Sequence, residues 1–379
     1  MKLKLQTIEL VDALFYLTKL LLKRPSVENI YKCIELKFKG GRLYLYGFNG
    51  NEACEALYGE VSVEGDCSYL VQFAMFETLI MRATAEVIQF DFKDTELKIK
   101  ESRSSYSLSY YQGELPQVFN DFDSTQLTPI TTFNFSELSK VMAFLSPSLS
   151  SKNKIVNFYG VYFDGHLVTH SKALVSVSPF RKGIKDHLYI HADSFKMIAG
   201  LSALSDSVEL YYVGNKVIVA NENVKLLLRL LNNPFVPYRE LMKTAIEKKY
   251  TITVEKVDLF NVCAKLLSLV ATKNILDVAT LTITKDKLRI EVGTDKIRGE
   301  EEIIIQCKGI EDNEVSFRVV LTQLHDCLSH MFNAEITITL SDEHPQYILH
   351  DGEGGAIYII SRPLIGGKYA ITRSSASDQ

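Results

Sequence analysis

The feature that most constrains this chain is a pattern that occurs three times: an amphipathic helix followed by two strands with a tight turn between them. In the third copy, Leu321, Leu324 and Leu328 recur at the spacing of one helical face, and alternating apolar strands follow. The three copies lie at residues 73–101, 194–221 and 319–364. Because a fixed internal repeat indicates repeated structural units, we expect several small domains of one plan rather than one large domain.

Each copy is preceded by a second helix and an antiparallel hairpin, with turn residues such as Asp164-Gly165. In the first of these helices, the periodicity assigns Phe15 to the buried side and Tyr16 to the polar side, and Ser136 is the expected N-cap of the second. The sequence therefore predicts an α+β protein with two helices packed on antiparallel sheets in each unit. The predicted domains are 1–127, 128–248 and 249–364, and the polar segment 365–379 is expected to be disordered.

Composition excludes several classes of protein. Hydrophobic residues make up 46% of the 379, which is typical of a globular protein, and no run reaches the roughly 18 apolar residues of a membrane helix. The six cysteines are scattered, with no Cys-x-x-Cys pair and no zinc-like spacing, as in reduced cytoplasmic proteins. We expect a cytoplasmic protein without membrane contact, metal or cofactor. The net charge of −4 argues against non-specific coating of nucleic acid, but it does not exclude a local basic face.

One polar cluster could indicate an enzyme, because His166, His170 and Ser171 lie near Asp164. A nucleophilic serine needs a strained elbow and a separate base, whereas these residues lie on a hairpin and its following strand. Glu300, Glu301 and Glu302 lack the converging pattern of a hard-cation site. We therefore expect no catalytic residues.

Four segments, in their order and spacing, match the motifs of a known family. They are residues 23–27 (Lys-Arg-Pro-Ser-Val), 160–174, 233–239 (Asn-Pro-Phe-Val-Pro-Tyr-Arg) and 356–364 (Ala-Ile-Tyr-Ile-Ile-Ser-Arg-Pro-Leu). Together with the three repeats, they resemble the bacterial β sliding clamps, the DNA polymerase III beta subunit family. The resemblance covers residues 1–364 and implies the DNA clamp fold of three clamp domains in a ring-forming chain.

The chain departs from the family pattern at three places. His170-Ser-Lys-Ala173 replaces an Asp-Gly-His-Arg core, Ile360-Ser-Arg362 replaces a Met-Pro-Met ending, and the chain continues beyond Leu364. These departures indicate a divergent member, for which a phage or mobile-element origin is one explanation. They also leave the details of partner binding open.

The resemblance implies a non-catalytic processivity factor. Two chains would close head to tail into a homodimeric ring that encircles double-stranded DNA without reading its sequence. The ring would bind the DNA polymerase and the clamp loader. Helices that line such a ring need a modest positive face. The cations expected to contact DNA are Lys19, Lys23, Arg24, Arg82, Lys140, Lys152, Lys154, Lys196, Lys265 and Lys273. Any one of them, taken alone, is more simply a solvated surface residue.

The resemblance also implies a groove that captures short peptides from replication and repair proteins. Transferred position by position, its wall would consist of Phe158, Thr169, Lys172, Leu174, Val236, Leu241, Tyr358, Ile360 and Arg362. An apolar wall with a few polar anchors suits a peptide site, although several of these positions also fit an ordinary strand core. The main alternative function is a repeat-built scaffold that binds proteins without encircling DNA. Assembly would separate the two, because a clamp must close as a dimer.

Overall fold

The fold was taken from a computed structural model. The residues described are 1–21, 28–63, 65–149, 160–171, 173–179, 187–199, 201, 206–232, 235, 237–246, 249–273, 277–294, 297–310, 314–341, 345–352, 355–363 and 372–374. The helices are α1 (Thr7–Leu21), α2 (Phe73–Met81), α3 (Phe135–Leu145), α4 (Ala192–Ala199), α5 (Tyr238–Ile246), α6 (Lys256–Lys273) and α7 (Leu321–Ser329).

Most of the remaining described residues form strands. The first half of the chain contains β1 (Lys2–Gln6), β2 (Cys33–Lys39), β3 (Arg42–Phe48), β4 (Ala53–Glu60), β5 (Cys67–Gln72), β6 (Val87–Phe92), β7 (Glu96–Glu101), β8 (Ser104–Ser109), β9 (Thr131–Asn134), β10 (Gly160–Phe163), β11 (His166–His170), β12 (Leu174–Pro179) and β13 (Leu188–His191). The second half contains β14 (Ser207–Val213), β15 (Lys216–Ala220), β16 (Val224–Leu228), β17 (Tyr250–Glu255), β18 (Val278–Ile283), β19 (Lys287–Thr294), β20 (Ile297–Ile304), β21 (Gln306–Lys308), β22 (Glu314–Val320), β23 (Glu335–Leu340), β24 (Gln346–Asp351), β25 (Ala356–Ser361) and β26 (Thr372–Ser374).

The chain forms two compact units. Unit 1 comprises Met1–Ser139 and Ile190–Leu231, and unit 2 comprises Lys140–Tyr189 and Asn232–Gln379. Unit 1 contains a four-stranded sheet, β1-β6-β7-β8, and an eight-stranded sheet, β5-β2-β3-β4-β16-β15-β14-β9. In unit 2, one sheet runs β10-β11-β12-β25-β24-β23-β17-β21 and the other runs β20-β19-β18-β22-β26. The predicted α+β class with antiparallel sheets is confirmed.

Pairing between repeats divides the second repeat between the two units. In unit 1, β16 pairs antiparallel with β4, with Leu226 opposite Cys54. In unit 2, β12 pairs antiparallel with β25, with Leu174 opposite Ile360. Neither predicted boundary, 127/128 or 248/249, coincides with the division between the units. The three-domain division therefore stays a prediction.

The helices pack one apolar face against the sheets. In α1 this face contains Leu10, Leu14 and Leu17, all fully buried. The assignment of its two aromatic residues was wrong, because Tyr16 is 1% exposed and Phe15 is 42% exposed. Tyr16 lies near the buried Leu17 and Leu20 around the helix, which brings it to the edge of the apolar face. Within the described residues, no helix has the length and apolar character needed to cross a membrane.

Two glycines allow helices to approach their sheets closely. A Cβ atom on Gly47 of β3 would lie 2.8 Å from Leu17 Cδ2 and 2.9 Å from Leu21 Cδ1 of α1. A Cβ atom on Gly299 of β20 would lie 2.6 Å from Leu269 Cδ2 of α6. Each glycine thus sets the helix–sheet distance in its own unit, because any larger residue would displace the leucine side chains that pack over it.

The structure corrects two further expectations. Asn134, rather than Ser136, caps α3: its Oδ1 accepts the main-chain N–H of Ser136 at 3.0 Å. The segment predicted to be disordered includes β26, which pairs antiparallel with β22 along Glu314–Ser316. Main-chain pairing with a sheet edge needs no apolar side chains, so a polar composition does not exclude it. The rest of 364–379 lies outside the described residues.

Candidate functional site

Four of the predicted peptide-binding residues share one face of the β11–β12–β25 sheet in unit 2. Between β12 and β25, Leu174 lies opposite Ile360 and Ser176 lies opposite Tyr358. Between β12 and β11, Thr169 lies opposite the same Ser176. Because side chains alternate along a strand, Thr169, Leu174, Tyr358 and Ile360 all point to the same side. Each of the four is at most 3% exposed. They form a continuous but covered wall.

The C-terminal end of α3 covers this wall. The ring of Phe144 stacks on that of Tyr358, with centroids 4.2 Å apart and planes inclined by 12°. The Tyr358 hydroxyl donates a hydrogen bond of 2.6 Å to the main-chain carbonyl of Phe144. Burial raises the pKa of this phenol well above its ordinary value, so Tyr358 remains a neutral donor.

A cluster of hydroxyl groups closes the polar end of the wall. Ser148 Oγ lies within hydrogen-bond distance of Thr169 Oγ1 and 2.7 Å from Ser176 Oγ. It also donates to the Leu145 carbonyl at 3.1 Å. Ser148, Thr169 and Ser176 are all 2% exposed or less, so the cluster satisfies its own hydrogen bonds without solvent. It ties the end of α3 to β11 and β12.

The other predicted pocket residues are placed differently. Leu241 of α5 packs on the opposite face of the sheet, against a cluster that includes Val175 and Ile359. Arg362 follows β25, is 4% exposed, and donates from Nη2 to the Ser341 carbonyl at 3.4 Å. Phe158, Lys172 and Val236 lie outside the described residues. The structure therefore brings four members of the predicted set together, and the pocket assignment stays a prediction.

Sequence reasoning missed the residues that cover the wall. Phe144 sits in an amphipathic helix and Ser148 just beyond it, where apolar and small residues are expected for packing alone. Ser176 gives a faint signal, since it interrupts an otherwise apolar strand between Val175 and Val177. A buried serine needs a hydrogen-bond partner, but the sequence does not name it.

The described cations predicted to contact DNA occur on or next to the helices. Lys19 lies in α1, Arg82 follows α2, Lys140 lies in α3, Lys196 in α4 and Lys265 in α6. Of these five, all except Lys19 are exposed. Within unit 1, α1 packs against α2, and within unit 2, α6 packs against α7. Each unit thus presents cations from its helical layer.

Lys19 and Lys265 make the following contacts within the chain. The Lys19 ammonium lies 4.2 Å from the centroid of the Phe15 ring, and Lys265 Nζ lies 3.3 Å from Glu301 Oε1. Lys273 is the last residue of α6. Lys23, Arg24, Lys152 and Lys154 lie outside the described residues. The DNA-contact assignment remains a prediction.

The polar residues near Asp164 make hydrogen bonds and packing contacts within the fold. Asp164 accepts hydrogen bonds from the Tyr238 hydroxyl and from Arg239 Nε, the latter at 3.1 Å. Burial lowers the pKa of His166 and outweighs the nearby charge of Asp164, which by itself would raise that pKa. His170 packs edge-on against Phe235. Among the described residues, no group of His, Cys, Asp and Glu side chains could hold a metal ion.

Comparisons with known proteins add a fold-level match. No family model matches the sequence. No curated protein sequence matches it either. Solved structures do match, including the DNA polymerase sliding clamp from Bacillus subtilis, which is 15% identical, with 96% of this chain and 99% of that chain covered and a TM-score of 0.82.

Two further structures match over the same extent. One is a putative DNA polymerase III beta subunit from Eubacterium rectale, 14% identical, with 96% and 100% of the two chains covered and a TM-score of 0.81. The other is the Helicobacter pylori beta clamp bound to a DNA ligase peptide, 16% identical, with 96% and 100% covered and a TM-score of 0.77. The clamp fold expected from the sequence motifs is confirmed, and at these identities the match concerns the fold alone.

Proposed function

We propose that this chain is a DNA sliding clamp, a non-catalytic processivity factor that encircles duplex DNA and tethers a DNA polymerase and other partners. The observation that carries the proposal is the match to sliding clamps over 96% of this chain and the full length of several of them. Because clamp function depends on the shape of the whole molecule, a match of this extent supports it more strongly than a match to one domain would. The working compartment proposed is the cytoplasm.

The repeat itself supports assembly as a homodimer. When the repeats are taken as the predicted domains 1–127, 128–248 and 249–364, the last strand of the second, β16, pairs with β4 of the first. The last strand of the third, β25, pairs with β12 of the second. By the same rule, β20 would receive the last strand of a first repeat, β8, from another copy of the chain. Within the described residues, β20 pairs only with β19, and β8 pairs only with β7.

The two strands at these edges expose apolar side chains. Tyr106 of β8 is 42% exposed, and Ile304 of β20 is 84% exposed. Unpaired edges that carry exposed apolar groups favour strand addition. A head-to-tail contact between β8 and β20 in both directions would close two copies into a ring of six domains.

The cations of the helical layer support weak, sequence-independent contact with DNA. Arg82, Lys140 and Lys196 are exposed on helices or helix ends, where cations can meet phosphates without fixing a register. A clamp holds DNA by topology, so a few such contacts suffice. Loading onto closed DNA would require a clamp loader.

Solution mass and DNA retention test the proposal. Light scattering across a dilution series should give twice 42.8 kDa for the natural chain, and Ile304→Glu should give a monomer. Tyr212→Glu, at an exposed aromatic of β14, is the matched control and should remain dimeric. Once loaded by a clamp loader, the dimer should be retained on circular DNA and released on linearisation. Changing Arg24, Lys140 and Lys265 together to Glu should reduce the amount of dimer that is loaded.

A chain that is monomeric at every concentration would contradict the clamp and favour the protein-binding scaffold. A scaffold would also keep its partners after the three cations are reversed, because its binding would not depend on DNA. Retention that persists after the DNA is linearised would indicate ordinary affinity rather than topology.

A further inference from the structure

A cavity of ≈ 670 Å³ opens on unit 1, on the face of the eight-stranded sheet opposite α1. Gly47 and Leu45 of β3 face α1, so the alternating residues Arg42 and Tyr44 face the other way, into this cavity. The other walls include Lys37 and Lys39 of β2, Lys225 of β16, and Phe119 and Phe122 of the segment that follows β8. This size is typical of sites for small organic ligands.

A single carboxylate positions two lysines at the floor of the cavity. Lys37 Nζ lies 3.1 Å from Glu55 Oε2, and Lys225 Nζ lies 2.8 Å from Glu55 Oε1. Lys37 also donates to Gln117 Oε1 at 2.8 Å, which holds its ammonium against the neighbouring segment. Two ammonium groups share one negative charge, so the floor keeps a surplus positive charge while its geometry is fixed.

Two further cations stand at the mouth of the cavity. Lys39 and Arg42 flank the Gly40-Gly41 turn and are partners in the strand register. Both are exposed, and within the described part of the chain neither makes an ion pair. The lining contains four cations (Lys37, Lys39, Arg42, Lys225) and two carboxylates (Glu55, Glu60), a net charge of +2. The whole chain carries −4, so this is a local concentration of positive charge.

We propose that this cavity binds a small phosphate monoester. A phosphate monoester carries about −1.5 to −2 charges at neutral pH, which matches the surplus of the lining. Arg42 offers the planar donor fork that suits phosphate oxygens, and the lysines offer point charges at the floor. Tyr44 and Phe119 provide apolar surface for the organic part of the ligand. The cavity lies away from the helical layer, so the site is separate from the proposed contacts with DNA.

Calorimetric titration of the full chain with AMP, at low ionic strength, tests the site. AMP should bind in a saturable way, inorganic phosphate should compete with it, and adenosine without the phosphate should not bind measurably. Arg42→Gln and Lys39→Gln should each weaken AMP binding about fivefold, since each removes one partly screened charge contact. Lys4→Gln, at an exposed position of β1 in the same unit, should leave binding unchanged. Raising the salt should weaken binding, as expected for exposed charges.

Glu55→Gln supplies a test of opposite sign. The substitution removes a negative charge that competes with the phosphate for the two lysines. The amide oxygen of Gln can still accept a hydrogen bond from one lysine, so AMP should bind about threefold more tightly. A thermal melt of each variant establishes that it is folded. Absence of saturable AMP binding, binding equal in Arg42→Gln and the natural chain, or equal binding of adenosine would each overturn the proposal. A phosphorylated peptide that binds while AMP does not would overturn it as well.

Discussion

The hydroxyl of Tyr358 donates a hydrogen bond of 2.6 Å to the carbonyl of Phe144, and the two rings stack 4.2 Å apart. Residues 214 positions apart in the sequence are thereby joined by one polar and one aromatic contact. Both contacts lie over the wall formed by Thr169, Leu174 and Ile360. Exposure of this wall to a peptide therefore requires the end of α3 to separate from β25.

The Tyr358–Phe144 contact predicts a graded loss of stability. Tyr358→Phe keeps the stacked ring but leaves a buried carbonyl without its donor, so the free energy of unfolding should fall by about 1–2 kcal/mol. Tyr358→Ala also leaves a cavity and should cost about 3–5 kcal/mol. Urea unfolding measures both. Tyr212→Phe, at a residue 45% exposed, should change stability by less than about 0.5 kcal/mol, and equal losses in Tyr212→Phe and Tyr358→Phe would contradict this account.

Glu55 predicts a dependence of stability on pH. Burial by itself would raise its pKa, but the hydrogen bonds and charges of Lys225 and Lys37 outweigh burial and lower the pKa below its ordinary 4.5. A carboxylate with a lowered pKa in the folded state stabilises the protein above its unfolded pKa, and this contribution is lost as the pH falls through the folded value. Urea midpoints should therefore drop below about pH 4.5. In Glu55→Gln this part of the pH dependence should disappear, and an unchanged profile would refute the assignment.

Gly47 predicts a cost of overpacking. Gly47→Ala places a Cβ atom 2.8 Å from Leu17 Cδ2, and both leucines that it meets in α1 are at most 3% exposed. Because these side chains have little room to move, stability should fall by about 1–3 kcal/mol. Ser68→Ala, at an exposed position of β5 in the same sheet, is the control for a small change in a strand. A Gly47→Ala melting temperature equal to that of the control would show that α1 can shift freely.

The cysteines predict a two-class pattern of thiol reactivity. Cys33, Cys54, Cys263 and Cys327 are buried, whereas Cys67 and Cys307 are partly exposed. Burial raises the pKa of Cys33 to about 11 and that of Cys263 to about 12, which removes the reactive thiolate near neutral pH. A thiol reagent at pH 8 should therefore label Cys67 and Cys307 in the folded protein and the other four only after denaturation. Cys307 should react more slowly than Cys67, because burial raises the pKa of its thiol as well. Cys67→Ser and Cys307→Ser should each remove one equivalent that reacts in the folded protein, and labelling of the folded double variant would contradict the burial pattern.

The sequence predicted the local architecture well because local architecture depends on neighbouring residues. Alternating apolar residues within 335–340 and 346–350 predicted two strands, which are β23 and β24 in the structure. Asp164-Gly165 predicted the turn between β10 and β11. The apolar face of α1 was only partly assigned. Phe15 and Tyr16 are adjacent aromatics, and helical spacing alone does not decide which of them the sheet covers.

The candidate site was predictable only as a list of positions. The motifs marked Thr169, Leu174, Tyr358 and Ile360, and strand pairing brings these four side chains to one face. The sequence did not indicate that Phe144 and Ser148 cover them, or that Leu241 packs on the opposite face. Those relationships depend on how a helix lies across strands that are far away in the chain.

By itself, the sequence determined the threefold repeat, the α+β class and the resemblance to sliding clamps. Periodicity and turn residues depend on residues close together in the sequence, and motif order can be read directly along it. Only the tertiary structure decided that β16 joins β4 while β12 joins β25, so that one repeat is shared between two sheets. The physical reason is that β-pairing is made through main-chain hydrogen bonds, which almost any strand can offer. The choice of partner and register is then set by which buried faces match across the sheet.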